Sequence, residues 1–290
     1  MPCLDTHWHY EFLGPKLVRG GHFRRGQVWS LSDLAGVHPF PFPRDFVGGI
    51  ADWCRPANFG SARAVLEGDP QVWGAFGCHP HFAKEYNLRV EKDILERFVH
   101  LPRVVTWGEM RLDYSTTKGR NPDKVRQRQV LHHQLAAAVR HGKPIVIHGR
   151  EAEEDLLKVM KRVVPRDHPI HRHCVTIPPK ELAPFVRYFS GAKFGFTNAL
   201  HRGGGAFGRG IAETIASLPL HRIVAETDAP YHPPPSWRPG CPPWSRRPGS
   251  GCSHPGMVSE VVAAVARIKD IPLHEVAQRI YLNSAKLYDL

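Results

Sequence analysis

Near the N-terminus, Asp5-Thr6-His7-Trp8-His9 places two imidazoles two positions apart. Alternate residues of a strand share one face, so His7 and His9 would stand about 6–7 Å apart along it and could converge on one cation. A lone histidine pair is also what an ordinary surface strand carries. Its weight comes from the ends of other apolar runs, which finish in ligand types as well: Gly108-Glu109, Ile147-His148, His171-Arg172-His173 and Glu226-Thr227-Asp228. Charges and imidazoles gathered in one place are costly unless a cation or hydrogen bonds compensate them. Four imidazoles and two carboxylates exceed the three protein ligands plus water typical of a catalytic zinc. The expectation is therefore two divalent ions, the first held by His7, His9 and Asp228, the second by His148 and His173, with Glu109 bridging. Ions roughly 3.5–4 Å apart clamp the attacking and leaving oxygens of a phosphoryl displacement and acidify a bound water. Asp228 would double as the base that takes the water's proton. The mixed nitrogen and oxygen donors suit zinc, manganese or iron, with magnesium on the carboxylate side.

Such convergence needs a scaffold that delivers many strand ends to one rim. Eight short apolar or β-branched runs recur along the chain, at Cys3–His9, Phe46–Ala51, Gln71–Phe76, Val104–Glu109, Pro144–His148, Ile170–Cys174, Lys193–Phe196 and Arg222–Thr227. Helical patterns separate several of them. Asp123–His141 spaces Val125, Leu131, Leu135 and Val139 for one helix face and stops at Gly142. Glu151–Val164 opens with acids that suit a helix N-terminus and ends before Pro165. Repeated strand–helix units with no break in composition predict an α/β protein, a single (β/α)8 TIM barrel over residues 1–290. An open doubly wound sheet would need a glycine-rich turn after the first strand, and none stands there. Two segments exceed the minimal barrel. Residues 10–45 read as a long loop after the first strand. Residues 229–256 read as a Pro/Arg-rich loop carrying Trp237, Arg238, Trp244, Arg246 and Arg247. Loops that follow barrel strands lie over the C-terminal face, so both are expected to overhang the site, the second as a lid with phosphate-facing arginines.

The 290 residues are 42% hydrophobic and 23% charged, which excludes a disordered or fibrous chain. Thirty-nine Lys plus Arg against 27 Asp plus Glu leave a formal charge of +12 and suggest a polyanionic partner such as nucleic acid. No uninterrupted apolar stretch of roughly 18 residues exists for a membrane span, and the first residues lack a basic-then-apolar signal pattern. The six cysteines form neither a CxxC pair nor compact disulfide spacing, so free thiols and an intracellular setting, nuclear or cytoplasmic, are expected. Cys241, Cys252 and His254 are too irregularly spaced for a structural zinc.

The motifs, in combination and order, resemble the TatD-type metal-dependent deoxyribonucleases, a branch of the amidohydrolase-like barrels, and most closely the TatD-domain proteins of animals. The resemblance spans nearly the whole chain. It rests on Asp5-Thr6-His7-Trp8-His9, Trp73 to His81, Gly108-Glu109-Met110-Arg111-Leu112-Asp113-Tyr114, and Val146 to Ala152. It continues through His171 to Thr176, Gly195-Phe196-Thr197 and Glu226-Thr227-Asp228-Ala229-Pro230-Tyr231. It implies a TIM barrel, divalent metals at the six residues named above, and hydrolysis of phosphodiester bonds in DNA, in some members with action on RNA. This chain departs from the family pattern where Arg111 replaces a usual glycine, and where Thr176-Ile177-Pro178 replaces Thr-Gly. Arg111 would add a phosphate contact or obstruct substrate, and Pro178 stiffens a loop that glycine leaves adaptable.

Around this set, His79 is expected to contact a substrate phosphate or the attacked water, or else to orient Glu109. Arg150 either pairs with Glu151 or Glu154 or reaches a non-bridging phosphate oxygen. Trp237 and Trp244 would stack on bases or pack a lid. The function expected is a nuclease acting on DNA, with RNA as a second substrate, using two divalent ions (Mg, Mn or Zn). The catalytic set is Asp228, Glu109 and His79. Arg150, Arg111, Arg238, Arg246 and Arg247 bind substrate. The alternatives are a small-molecule amidohydrolase, disfavoured because Glu109 stands where those enzymes often carry a carboxylated lysine, and a catalytically impaired nucleic-acid-binding scaffold.

Overall fold

In the computed structural model, eight strands run parallel and pair in strict chain order: β1 (Cys3–Trp8), β2 (Phe46–Trp53), β3 (Val72–Phe76), β4 (Val104–Asp113), β5 (Ile145–Arg150), β6 (Ile170–Arg172), β7 (Ala192–Phe196) and β8 (Ile223–Ala225). The structure describes residues 2–36, 42–119, 121–201, 206–234 and 252–290. The sheet comes round on itself just past β8. There the Asp228 N–H donates to the His7 carbonyl at 2.9 Å, the His9 N–H donates to the Ala229 carbonyl at 2.7 Å, and Trp8 bridges Ala229. Buried Asp5 reinforces the closure, accepting from the Thr227 N–H at 2.9 Å and the Thr227 hydroxyl at 2.5 Å. The result is a (β/α)8 barrel.

Strand periodicity sorts the side chains. In β5, Ile145 and Ile147 face outward into the helix-packed core, while Val146 joins the barrel interior with Ile50, Ala75, Val105 and Val224. The helices supplying the outer layer include α1 (Tyr10–Arg19), α2 (Leu31–Gly36), α3 (Ala62–Gly68), α4 (Leu88–Arg97), α5 (Lys124–Arg140), α6 (Glu153–Val163), α7 (Pro179–Tyr188), α8 (Ala206–Ser217), α9 (Val258–Lys269) and α10 (Leu273–Tyr288). Helix α5 starts where sequence places it, because the Asp123 carboxylate caps the Arg126 N–H at 2.9 Å. The last residues of α10, Leu287 and Tyr288, plug the barrel interior.

Residues 10–45 differ from the loop expected. They contain α1 and α2, and Tyr10, Leu13, Leu17, Leu31 and Leu34 are buried. Pro15 lies inside α1, where it removes one helical hydrogen bond, and burial of the apolar face sustains the helix. Arg238, Arg246, Arg247, Trp237, Trp244 and Cys241 lie outside the described residues.

Candidate metal centre

Asp228 organises the strand ends. Its Oδ1 lies 3.8 Å from His7 Nε2, 3.2 Å from His9 Nε2 and 3.7 Å from His173 Nε2. The two imidazoles of β1 approach each other at 3.4 Å between Nε2 atoms, and the Oε2 of Glu109 lies 3.7 Å from His9 Nε2. His7, His9 and Glu109 are at most 3% exposed and Asp228 is 8% exposed. His148, at the rim of β5, stands further out, its ring centroid 5.3 Å from that of His173, and one of its nitrogens groups with a nitrogen of His173 and the Sγ of Cys174. Three of the six residues singled out from sequence thus surround the Oδ1 of a fourth, Asp228, with Glu109 against His9 and His148 beside His173.

Local backbone explains the aim. Gly108 adopts φ +154°, and a Cβ there would lie 2.6 Å from Val146 Cβ. Glycine therefore lets β4 pass close to β5, and the register shifts between Trp107 and Met110. Beyond the shift, Met110 and Leu112 pack outward, while Glu109 and Arg111 line the cavity. Asp228, Cys174, Glu151 and His232 all adopt positive φ. Non-glycine residues in that region cluster at functional rims, held there by surrounding contacts. For Asp228 the holding contact is its N–H bond to His7.

Two carboxylates not assigned from the sequence orient the imidazoles. Asp52 Oδ2 lies 3.4 Å from His9 Nδ1, and Glu226 Oε2 lies 2.9 Å from His173 Nδ1. Each histidine therefore turns its Nε2 toward Asp228, the carboxylate–histidine arrangement that fixes the ring of a metal ligand. Glu226 also contacts His171 Nε2 at 2.9 Å, and the far nitrogen of His171 meets the Tyr288 hydroxyl at 2.6 Å. A polar column thus runs from the plug of the barrel to its mouth. Asp52 was legible in principle, since it sits one residue past the second apolar run, at the position that made Glu109 and His148 conspicuous.

The electrostatics are those of a crowded, buried cluster. Burial and the positive neighbours His173 and His9 push His7 well below the usual imidazole range. Burial works the same way on His9, yet Asp228 and Asp52 overcome it and hold His9 well above that range. His173 is raised to about 9, with Glu226 and Asp228 prevailing over burial. Burial disfavours ionised Asp228, but His173, His232 and His9 keep it well below the ordinary carboxylate range. Burial pushes Glu109 up. Both oxygens of Asp52 and one of Glu109 are buried without a hydrogen bond. Acceptors left bare beside imidazoles that hold protons suit a divalent cation, which would take the Nε2 lone pairs and release those protons.

The cluster opens into a cavity of about 780 Å³ whose wall includes Phe12, His79, Arg111, Arg150, Tyr231 and His232. His79 accepts from the His81 N–H through Nδ1 at 3.1 Å. Arg111 reaches Asp113 at 2.7 Å and Glu109 Oε1 at 3.5 Å. Arg150 is exposed and forms no ion pair among the described residues.

A family model described as TatD related DNase matches residues 4–289. The chain belongs to the TatD family. Among TatD relatives, the human 3'-5' RNA nuclease TATDN2 is 39% identical over 99% of this chain, and the chain spans about a third (35%) of that protein's length. The 3'-5' ssDNA/RNA exonuclease TatD of Erwinia tasmaniensis is 29% identical, over 75% of this chain and 78% of its own. The crystal structure of the Escherichia coli TatD homologue YjjV superposes with a TM-score of 0.73 at 24% identity, covering 99% of this chain and 98% of that one. That likeness bears on the fold and matches the barrel described above.

Proposed function

We propose that this TatD protein is a metal-dependent nuclease that hydrolyses phosphodiester bonds in DNA or RNA. The observation that carries the reading is the meeting of three Nε2 atoms around Asp228 Oδ1, with the Glu109 carboxylate against one of them, at a cavity of about 780 Å³. His7, His9, His173, Asp228 and Glu109 would hold divalent metal, with His148 beside them, and Mg, Mn or Zn fits the mixed donors. When bound, such an ion polarises a phosphoryl oxygen and eases ionisation of water. Asp228 stays ionised at neutral pH and accepts the proton of the attacking water, while Asp52 and Glu226 keep His9 and His173 in their tautomers. The guanidinium of Arg111 and the exposed Arg150 face a phosphate entering the cavity, and His79 turns its remaining nitrogen to the same space. Phe12 and Tyr231 offer apolar faces to the sugar and base. The relatives named above are 3'-5' nucleases of RNA and of ssDNA/RNA, so a single-stranded 3' end is the substrate to try first.

The test incubates end-labelled single-stranded DNA and RNA with the protein and Mg, Mn or Zn in turn. Shortening of the label that requires metal, and that falls at least a hundredfold in His9→Ala and Asp228→Asn, is expected. Intact nucleic acid with every ion would refute the reading.

A further inference from the structure

From the surroundings of Glu109 we infer that the centre holds one tightly bound divalent ion, with the Arg111 guanidinium serving as the fixed second cation that a second ion would otherwise supply. The inference rests on the nuclease reading and concerns the charge inventory of the same site. Six donors suggest two ions, but the structure divides them unequally. Three Nε2 atoms surround Asp228 Oδ1, and the Glu109 oxygen facing them is Oε2. The other oxygen, Oε1, is the one a bridging carboxylate would present to a second ion. It faces Arg111 Nη1 at 3.5 Å instead. Arg111 cannot swing away freely, because its other nitrogen donates to Asp113 at 2.7 Å, and that carboxylate is itself fixed by Ser115 and by His81 at 3.2 Å.

His148 is left as the remaining donor beside this position. No carboxylate lies within ion-pair distance of it among the described residues, and its partners in a metal-sized group are His173 and the Cys174 thiol. His173 is already aimed at Asp228, its Nε2 3.7 Å from Oδ1. The backbone pairs Arg111 directly with His148 across β4 and β5. A dication on His148 would therefore share its space with a guanidinium that does not deprotonate. The same guanidinium belongs to a residue that lines the cavity, and its Nε is buried without a hydrogen-bond partner. One mobile dication and one fixed monocation would then flank the scissile phosphate.

Metal-free protein titrated with Mn tests this by calorimetry and by the Mn spin-resonance spectrum. The wild type should take up one tight ion per chain, and added Mn should show the uncoupled six-line signal. Arg111→Gly and Arg111→Met, the second of which keeps most of the side-chain volume, should each gain a second ion. Its affinity should rise roughly a hundredfold or more, the scale expected on removing a unit charge a few ångströms from a dication, and an exchange-coupled spectrum should appear. Arg111→Lys, which keeps the charge, should behave as wild type. Two ions of comparable affinity in the wild type would overturn the inference while leaving the nuclease reading intact, provided labelled RNA or DNA is still cleaved. One ion in every Arg111 variant would overturn it as well. A wild type that binds no ion and cleaves nothing would bring down the nuclease reading itself.

Discussion

Replacing Asp52 by Asn separates the role of a buried carboxylate in holding a metal ligand from any role in holding the fold. Asp52 is fully buried, both of its oxygens lack hydrogen bonds, and the imidazole of His9 approaches it at 3.4 Å. At an effective dielectric of about 20, the attraction across that distance is about 5 kcal/mol. Withdrawing the carboxylate from water costs several kcal/mol, so in the metal-free protein the two largely cancel. The substitution Asp52→Asn keeps the volume and removes the charge. The metal-free variant should therefore unfold within about 3 °C of wild type, since 1 kcal/mol shifts the midpoint of a protein this large by a few degrees. Metal binding should respond differently. Without the carboxylate that fixes the His9 ring, affinity for Mn or Zn should fall about 10–100-fold, or about 1.4–2.8 kcal/mol. Calorimetric titration gives the metal affinity and differential scanning the midpoint. Unchanged metal affinity would refute the positioning argument, and so would a metal-free midpoint lowered by about 10 °C or more, several times the shift expected, which would make Asp52 a structural residue.

Two further perturbations test the barrel around the centre. At Gly195, a Cβ would meet His171 Nε2 and lie 2.7 Å from Cδ of Glu226, both in the fully buried polar column. Gly195→Ala should cost about 1–3 kcal/mol by overpacking and, by displacing Glu226 and with it His173, lower turnover about a hundredfold. Urea unfolding and a cleavage assay check the pair, and wild-type turnover would show that the column does not aim His173. Burial also lowers His254, fully buried beside Phe42, to about 3. The unfolded chain binds that proton near pH 6.5, so the contribution of neutral His254 is whole above pH 6.5 and is lost as pH falls from there toward 3. By pH 5 the loss should reach about 2 kcal/mol. His254→Asn retains an acceptor for the Gly256 N–H and should flatten that slope in urea titrations at pH 7 and pH 5; equal slopes would remove His254 as its source.

The donor types at the strand ends and the order of the elements were legible from the amino-acid sequence alone. Ligand types at the ends of apolar runs follow from the strand period, because a barrel strand can offer a reacting group only where its apolar side chains stop. His7, His9, Glu109, His148, His173 and Asp228 could be picked out for that reason, and the alternation of strands and helices left the barrel as the economical scaffold. Three-dimensional packing settled what spacing cannot encode. Asp52 and Glu226 became positioning groups only when β2 and β8 brought them behind imidazoles on other strands. Tyr288 reached His171 across 117 residues because α10 ends inside the barrel. The helix α1 formed despite Gly14 and Pro15 because burial of Leu13 and Leu17 outweighs a weak local propensity. Above all, which oxygen of Glu109 faces the imidazoles and which faces Arg111 depends on a register shift at Gly108. Local sequence fixes the kind of atom at each strand end, whereas the closure of eight strands fixes the fraction of an ångström that separates a cation site from an ion pair.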